Sequence, residues 1–423
     1  MKNSVRLLDN TTKIDWFFLL LVFVLMGCGL ALVYSATMNS SEEWIKSYWF
    51  RQALHFAAGT LIAFLFVFVK IDYWKKIAFP FYFVVLLSLI YTTFGGGTTT
   101  NGAERWIDLG FFRMQPSEFA KIAFLLALSS WLSKHRVSLS QPKTLIVPML
   151  IFIFPFLLVL KQPDLSTALV FTSVTLVSLF WAGFSLRELF LFVSPALSVL
   201  LSFSYIPYNQ FFWGLLIVMV GILLFKMRFP VKLSVILVCL NLIAGYADDL
   251  VWNSLEDHQK ERVDTFLDPM KDPRGVGYQV IQSRVAIGSG GMLGKGFGNG
   301  TQTNLSFLPE EHTDFIFSVL GEQFGFVGCV FILGLYFLFL WRGISICWLH
   351  SDRFVNLVVA SACTIFLFHI VVNIAMTLGM MPVTGLPLPF LSYGGSFVFT
   401  CMMLVGLLMN MRYHGDELDV NYK

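Results

Sequence analysis

Apolar runs recur along this chain from Trp16 to Met411, each close to the length of a membrane crossing and most ending in a short polar or basic turn. A helix needs about 20 residues to span the hydrocarbon, and within it every backbone N–H and C=O must find a partner inside the protein. On that measure the pattern predicts twelve crossings: 16–35, 50–69, 77–94, 117–133, 144–160, 164–183, 189–206, 211–226, 231–247, 315–340, 354–378 and 392–411. Only KQPD parts the fifth from the sixth, and only KMRFP parts the eighth from the ninth. The fold class is therefore an all-α polytopic membrane protein, one integral membrane domain over 1–423 with a single long polar interval at 248–314. Segment 16–35 follows a charged, polar start without a small-residue cleavage site, so it is expected to remain as the first helix. No soluble domain is expected before or after the membrane part, the tail HGDELDVNYK being too short for one.

Composition agrees: of 423 residues 57% are hydrophobic and 13% charged. The net charge of +3 is too small to argue for a nucleic-acid partner. The basic residues instead concentrate in alternate turns, KIDYWKK, SKHRVSLSQPK, FSLRE, KMRFPVK and WRGISICWLHSDR. Positive charge is retained on the cytoplasmic side. Both termini are then expected inside, and the 248–314 interval is a large extracytoplasmic loop. Cys28, Cys239, Cys329, Cys347, Cys363 and Cys401 mostly fall in apolar segments without zinc or CxxC spacing and are expected to be core thiols.

Ionisable residues at the edge of such helices carry the functional signal, because lipid makes an unpaired charge costly. The outer interval TFGGGTTTNGAERWIDLGFFRMQPSEFAKIAFLL places Arg105, Trp106 and Asp108 before QPSE, where Pro116 and Ser117 suit a helix start. Glu118 follows in the first turn and Lys121 lies three residues on, upon the same face. The pair is either an interfacial cap with an ion pair or a cation and carboxylate projecting into an internal cavity. In KQPDLSTAL, Asp164 stands at a helix start as an N-cap, or as a second group lining the same vestibule.

Within the long loop, GYQVIQSRVAIGSG is predicted to form an amphipathic helix carrying Gln279, Gln282 and Arg284. The glycines that follow, with Lys295, allow a loop that cradles an anionic oxygen. GSGGMLGKG is not a nucleotide-binding P-loop, since Gly follows its Lys and no strand precedes it. A lipid-borne phosphate or pyrophosphate held by Arg262, Arg284 and Lys295 is the better match. FLPEEHTDF then crowds Glu310, Glu311 and Asp314 around His312 at the mouth of a helix. One carboxylate suffices for a cap, so the crowding admits a base with a tuned pKa. In LPLPFLSYGGS, residues 386–396, Pro387 and Pro389 break an apolar run and predict an outer re-entrant turn.

Taken together, GAERWIDLGFFRMQPSEFAKIA, QPDLSTAL, the block from DPRGVGYQVIQSRVAIGSGGMLGKGFGNGTQ through FLPEEHTDFIFSVLGEQFGFVG, and LPLPFLSYGGS resemble, in family order over nearly the whole chain, the SEDS (shape, elongation, division and sporulation) family. The resemblance implies a peptidoglycan glycosyltransferase that polymerises lipid II into β-1,4-linked strands during cell elongation. It implies that Asp314 matches the essential aspartate of the family's HTDF motif. Glu118 and Lys121 match its QPSE-x-x-K residues, Arg105 and Trp106 its RW pair, and Asp164 its QPDL aspartate. The family usually has ten crossings, so 184–247 is expected to contain an additional helix pair.

The implied chemistry has Asp314, Glu118 and Lys121 as catalytic residues. Arg105, Trp106, Asp164, Arg284, Lys295 and His312 would bind substrate. A divalent cation (Mg or Mn) is a candidate cofactor, with Glu118 and Asp314 as its candidate ligands, and no nucleotide is expected. The implied partners are a class B penicillin-binding protein transpeptidase and other elongation-complex membrane proteins, in the cytoplasmic (inner) membrane of a bacterium with the active site facing out. A lipid II flippase and a non-catalytic scaffold of the wall-synthesis complex are the competing readings, and helix periodicity does not separate them.

Overall fold

The computed structural model describes residues 14–38, 43–100, 103–108, 110, 113–203, 208–247, 252–253, 257–271, 275–304 and 307–420. Each of the twelve apolar segments coincides with a helix: α1 (Trp16–Thr37), α2 (Tyr48–Val67), α3 (Ile71–Tyr91), α4 (Pro116–Lys134), α5 (Ile146–Lys161), α6 (Leu165–Trp181), α7 (Leu186–Ser202), α8 (Asn209–Lys226), α9 (Val231–Gly245), then α12 (Ile316–Leu349), α13 (Arg353–Thr377) and α14 (Gly395–Val420). Among the described residues, eight helices are long and apolar enough to cross a membrane, and α6 and α9 are shorter apolar helices. Between α9 and α12 lie α10 (Asp257–Leu267) and the foreseen α11 (Val276–Ser289). Among the described residues, the part of the loop containing Arg262 is thus helical as well.

Burial sorts these helices. Helices α4, α13 and α14 are buried on nearly every side, as a helix apolar all round must be. The outer helices turn Phe and Leu outward instead: Phe64, Phe83, Phe154, Phe225 and Phe337 are all exposed, a surface suited to lipid rather than water. Five of the six cysteines are buried or half-buried, as core thiols are; Cys239 is exposed on α9. At the ends far from the acidic loop, charges tie the helices together. Asp15 caps α1 and meets Arg342 of α12 at 2.6 Å and Arg412 of α14 at 3.2 Å, while Lys75 meets Asp352 at 3.1 Å.

Two local departures from an all-helical chain shape the site. The interval before α4 forms a three-stranded antiparallel sheet of β1 (Thr98–Thr100), β2 (Ala103–Asp108) and β3 (Arg113–Met114), which carries Arg105 and Trp106. The second is a break in α12 at Gly325, whose φ of 63° and ψ of −161° are open to glycine and costly for any other residue.

That break frees backbone groups that a buried site cannot leave unpaired. The glycine-rich loop takes them up. Lys295 and Gly296 donate their N–H groups to the carbonyls of Glu322 and Gln323, at 3.0 Å each. Phe326 and Val327 donate theirs to Gly291 and Met292, at 2.9 and 3.1 Å. At Gly290 a Cβ would run into the Gly321 carbonyl, so the chain approaches this closely only as glycine. Beside this loop, Lys295 and the residues that follow the glycines hold a carboxylate of the protein itself. Glu322, fully buried, accepts from Lys295 Nζ at 2.7 Å, the Thr301 hydroxyl at 3.0 Å, the Gln302 N–H at 3.0 Å and the Thr303 hydroxyl at 3.1 Å.

Candidate active site

Asp314 sits in the turn that opens α12. Glu310, in the left-handed region at φ 51°, turns the chain so that its carbonyl accepts from the N–H groups of Thr313, Asp314 and Phe315. Helix α12 starts at Ile316, and its N-cap position is Phe315, with no side-chain cap. The carboxylate of Asp314 therefore caps nothing, and among the described residues no side chain donates to it. Its backbone is nonetheless pinned: the carbonyl accepts from Asn373 Nδ2 of α13 at 2.9 Å, and the Thr313 carbonyl accepts from Ser392 Oγ at 2.6 Å.

The second pin comes from the stretch 386–396, which is buried rather than a surface cover. Leu388, Leu391 and Ser392 have no exposure. Ser392 also takes the Leu388 N–H at 2.8 Å, while Gln52 of α2 donates to the Ser392 carbonyl at 2.9 Å. Gly385 lies against the carboxylate itself, since a Cβ there would stand 3.4 Å from Asp314 Oδ2. Asp314 is thus held in place by its backbone, with its side chain uncommitted.

Electrostatics tune it. Burial and the neighbouring Glu310 push the Asp314 carboxyl up to about 7, against the pull of Arg262. Arg262, on α10, feels the charges of Asp314, Arg105 and Asp164 in turn, so these four groups lie close enough to act on one another. The same arginine and Arg284 of α11 line a cavity of about 220 Å³ beside Gly379. Glu311 departs from the expected triplet of carboxylates. Buried, it is pushed up to about 9 by burial first and by the charge of Glu322 second, so it stays a neutral acid at pH 7. His312 packs against the rings of Tyr48 and Tyr393, and burial lowers its pKa although Glu310 opposes this.

Other predicted residues divide between the cleft and its supports. Asp164 is an N-cap after all, accepting from the Thr167 N–H and hydroxyl at 3.0 Å each. Arg105 donates to the carbonyls of Gln162 and Pro163, at 2.6 and 2.8 Å, fixing the loop before α6 to the sheet. Trp106 pairs across strands with Thr98. Lys295, an expected substrate ligand, has its ammonium 2.7 Å from the Glu322 carboxylate and is its counter-ion.

Glu118 and Lys121 form an ion pair at 2.7 Å in which the lysine has no exposure. The ammonium also lies 3.1 Å from His369 Nε2, so that nitrogen accepts and Nδ1–H donates to the Pro387 carbonyl at 3.1 Å. One turn further along α13, Asn373 donates to the Leu386 carbonyl at 2.8 Å as well as to that of Asp314. A polar chain thus runs from Glu118 through α13 to the backbone of Asp314. The residues do not fit a resident divalent ion shared by Glu118 and Asp314. Glu118 already holds a cation, the charges acting on Asp314 are Glu310 and Arg262, and among the described residues no three His, Cys, Asp or Glu side chains converge. His369 and Asn373 were not singled out in the sequence; a histidine and an asparagine four apart in an otherwise apolar span were the available signal.

The model of the cell cycle protein family, that of FtsW, RodA and SpoVE, matches residues 15–212 and 213–417. The peptidoglycan glycosyltransferase RodA of Treponema pallidum (strain Nichols) is 36% identical over 431 residues, covering 95% of this chain and 98% of its own. The peptidoglycan glycosyltransferase MrdB of Escherichia coli (strain K12) is 36% identical over 340 residues, covering 80% of this chain and 79% of its own. A solved chain, from work on the structural coordination of polymerization and crosslinking by a peptidoglycan synthase complex, superposes with a TM-score of 0.68 at 30% identity, over 95% of this chain and 98% of that one.

Proposed function

Since the chain belongs to the SEDS family, the cell cycle proteins that include FtsW, RodA and SpoVE, we propose that the Asp314 cleft is the seat of its glycosyl transfer. The protein is a multi-pass membrane enzyme, a peptidoglycan glycosyltransferase that polymerises lipid II during cell elongation. The donor carries its own leaving group, a polyprenyl pyrophosphate on the anomeric carbon. The C4 hydroxyl of the acceptor N-acetylglucosamine attacks that carbon and Asp314 takes the hydroxyl proton. The bond to pyrophosphate breaks, and inversion leaves a β-1,4 linkage. Arg262 and Arg284, which line one cavity, receive the negative charge that develops on the departing pyrophosphate in this reading. Glu118, Lys121, His369 and Asn373 act as positioning residues, through the backbone of the turn that carries Asp314. The observation that carries this reading is the uncapped Asp314 carboxyl, poised near neutrality beside Arg262.

Polar helix breaks beside a cavity are also expected of a flippase; here the break at Gly325 is closed by backbone hydrogen bonds from the glycine loop, which favours a fixed site over a moving one. Purified protein in liposomes, given lipid II and no nucleotide, is expected to form glycan strands. Lipid scrambling without polymer would overturn the assignment. We expect the rate to rise when a class B penicillin-binding protein is present to cross-link the product.

The proposed setting is the cytoplasmic membrane, with both termini inside and the Asp314 cleft outside. Met270 and Arg228, both exposed, are suited to test it. In whole cells, Met270→Cys should react with an impermeant maleimide, and Arg228→Cys should react only after permeabilisation; the reverse pattern would invert the topology.

A further inference from the structure

Helices α8 and α9 form a hairpin that the transfer chemistry does not use. Between them lies an apolar wedge of about 540 Å³. Leu224, Phe225 and Arg228 line it from one side, and Val231, Val235 and Val238 from the other. The three valines are spaced by four and three residues, so they form one continuous stripe of α9. The wedge is open: a Cβ on Gly221, also in its wall, would meet nothing within 4 Å. Phe225 and Val231 are 86% and 78% exposed at its mouth, which in a membrane protein marks a surface that lipid covers.

A basic rim stands at the same end. Lys226, Arg228 and Lys232 are exposed and make no ion pair with any described residue. Lys75, Lys121, Lys295, Arg342 and Arg412, by contrast, each hold a carboxylate. The turn between the helices is fixed, because Arg228 takes the left-handed conformation (φ 49°) and buried Phe229 donates its N–H to the Leu224 carbonyl at 3.1 Å. Arg228 is therefore presented at the mouth by a rigid turn.

We propose that this wedge is a binding site for an anionic phospholipid, its acyl chains between α8 and α9 and its headgroup phosphate on Lys226, Arg228 and Lys232. Charge complementarity selects the headgroup. Size selects the chains: a partner helix is about 10 to 12 Å across and does not enter between two helices joined by so short a turn, whereas an acyl chain does.

Cys239 lines the wedge and is exposed, which offers a native attachment point. The full chain, labelled there with a benzophenone maleimide, is reconstituted in phosphatidylethanolamine vesicles containing a minor fraction of phosphatidylglycerol, irradiated, and its lipid adducts identified by mass spectrometry. Phosphatidylglycerol adducts should exceed their share of the bilayer. The excess should fall about fivefold for each charge removed, and vanish in the triple variant Lys226→Gln, Arg228→Gln, Lys232→Gln. These side chains are exposed, so the variants keep the fold and the polymerisation activity. Gly221→Leu, which fills the wedge, should reduce adducts of both lipids. Adducts that follow the bilayer composition in the parent protein, or an excess that survives the triple substitution, would overturn the proposal.

Discussion

Asp314→Asn is expected to abolish most lipid II polymerisation, by a factor on the order of 10² to 10⁴, the loss typical of removing a general base. The variant should nevertheless insert and fold. The hydrogen bonds that hold the turn involve the backbone of residue 314 and not its carboxylate, and the side chain caps no helix. A structural residue would give the opposite outcome, since asparagine replaces aspartate well at a cap. Single-turnover polymerisation with purified parent and variant decides, and an unchanged rate across pH would remove Asp314 from the chemistry.

The pH profile gives the same base a second signature. The base works when deprotonated, so the parental rate should climb as pH rises through about 7 and fall away below it. Glu310 raises this pKa and Arg262 lowers it. Glu310→Gln should therefore move the acid limb to lower pH and Arg262→Ala should move it to higher pH. Shifts in the same direction would contradict the assignment.

Lys121→Ala should be the most damaging change to stability, because it strands Glu118 in the protein interior. Breaking one side of a buried pair costs about 3 to 5 kcal/mol, whereas removing both charges is far milder. The double variant Glu118→Gln, Lys121→Met should therefore recover most of the thermal stability that Lys121→Ala loses, a coupling that a double-mutant cycle measures. The recovered protein separates structure from catalysis. Positioning through His369 and Asn373 predicts a lower maximal rate with the acid limb still near pH 7. A Lys121→Ala protein as stable as the parent would show that the pair does not support the core.

What the chain alone determined was its helices, and the reason is that helix formation in lipid is local. A run of about 20 apolar residues must satisfy its own backbone wherever it lies, so all twelve segments read from hydropathy coincide with helices, as does α11 within the loop. The motifs also marked the right neighbourhoods: QPSE did open a helix with Pro116 in its first turn, and Asp164 did cap one. Roles depended on partners that no local pattern contains. Lys121 and His369 are 248 residues apart and Gln52 and Ser392 are 340 apart, yet each pair meets at hydrogen-bond distance. Only packing could assign Lys295 to Glu322, turn the glycine loop into the seal of a broken helix, and set the charge of Glu322 against a buried Glu311. Only packing, likewise, brought Arg262 beside an aspartate left uncapped. Lipid supplies no polar partner, so each polar side chain inside the bundle takes whichever partner the fold presents, and that choice is made in three dimensions.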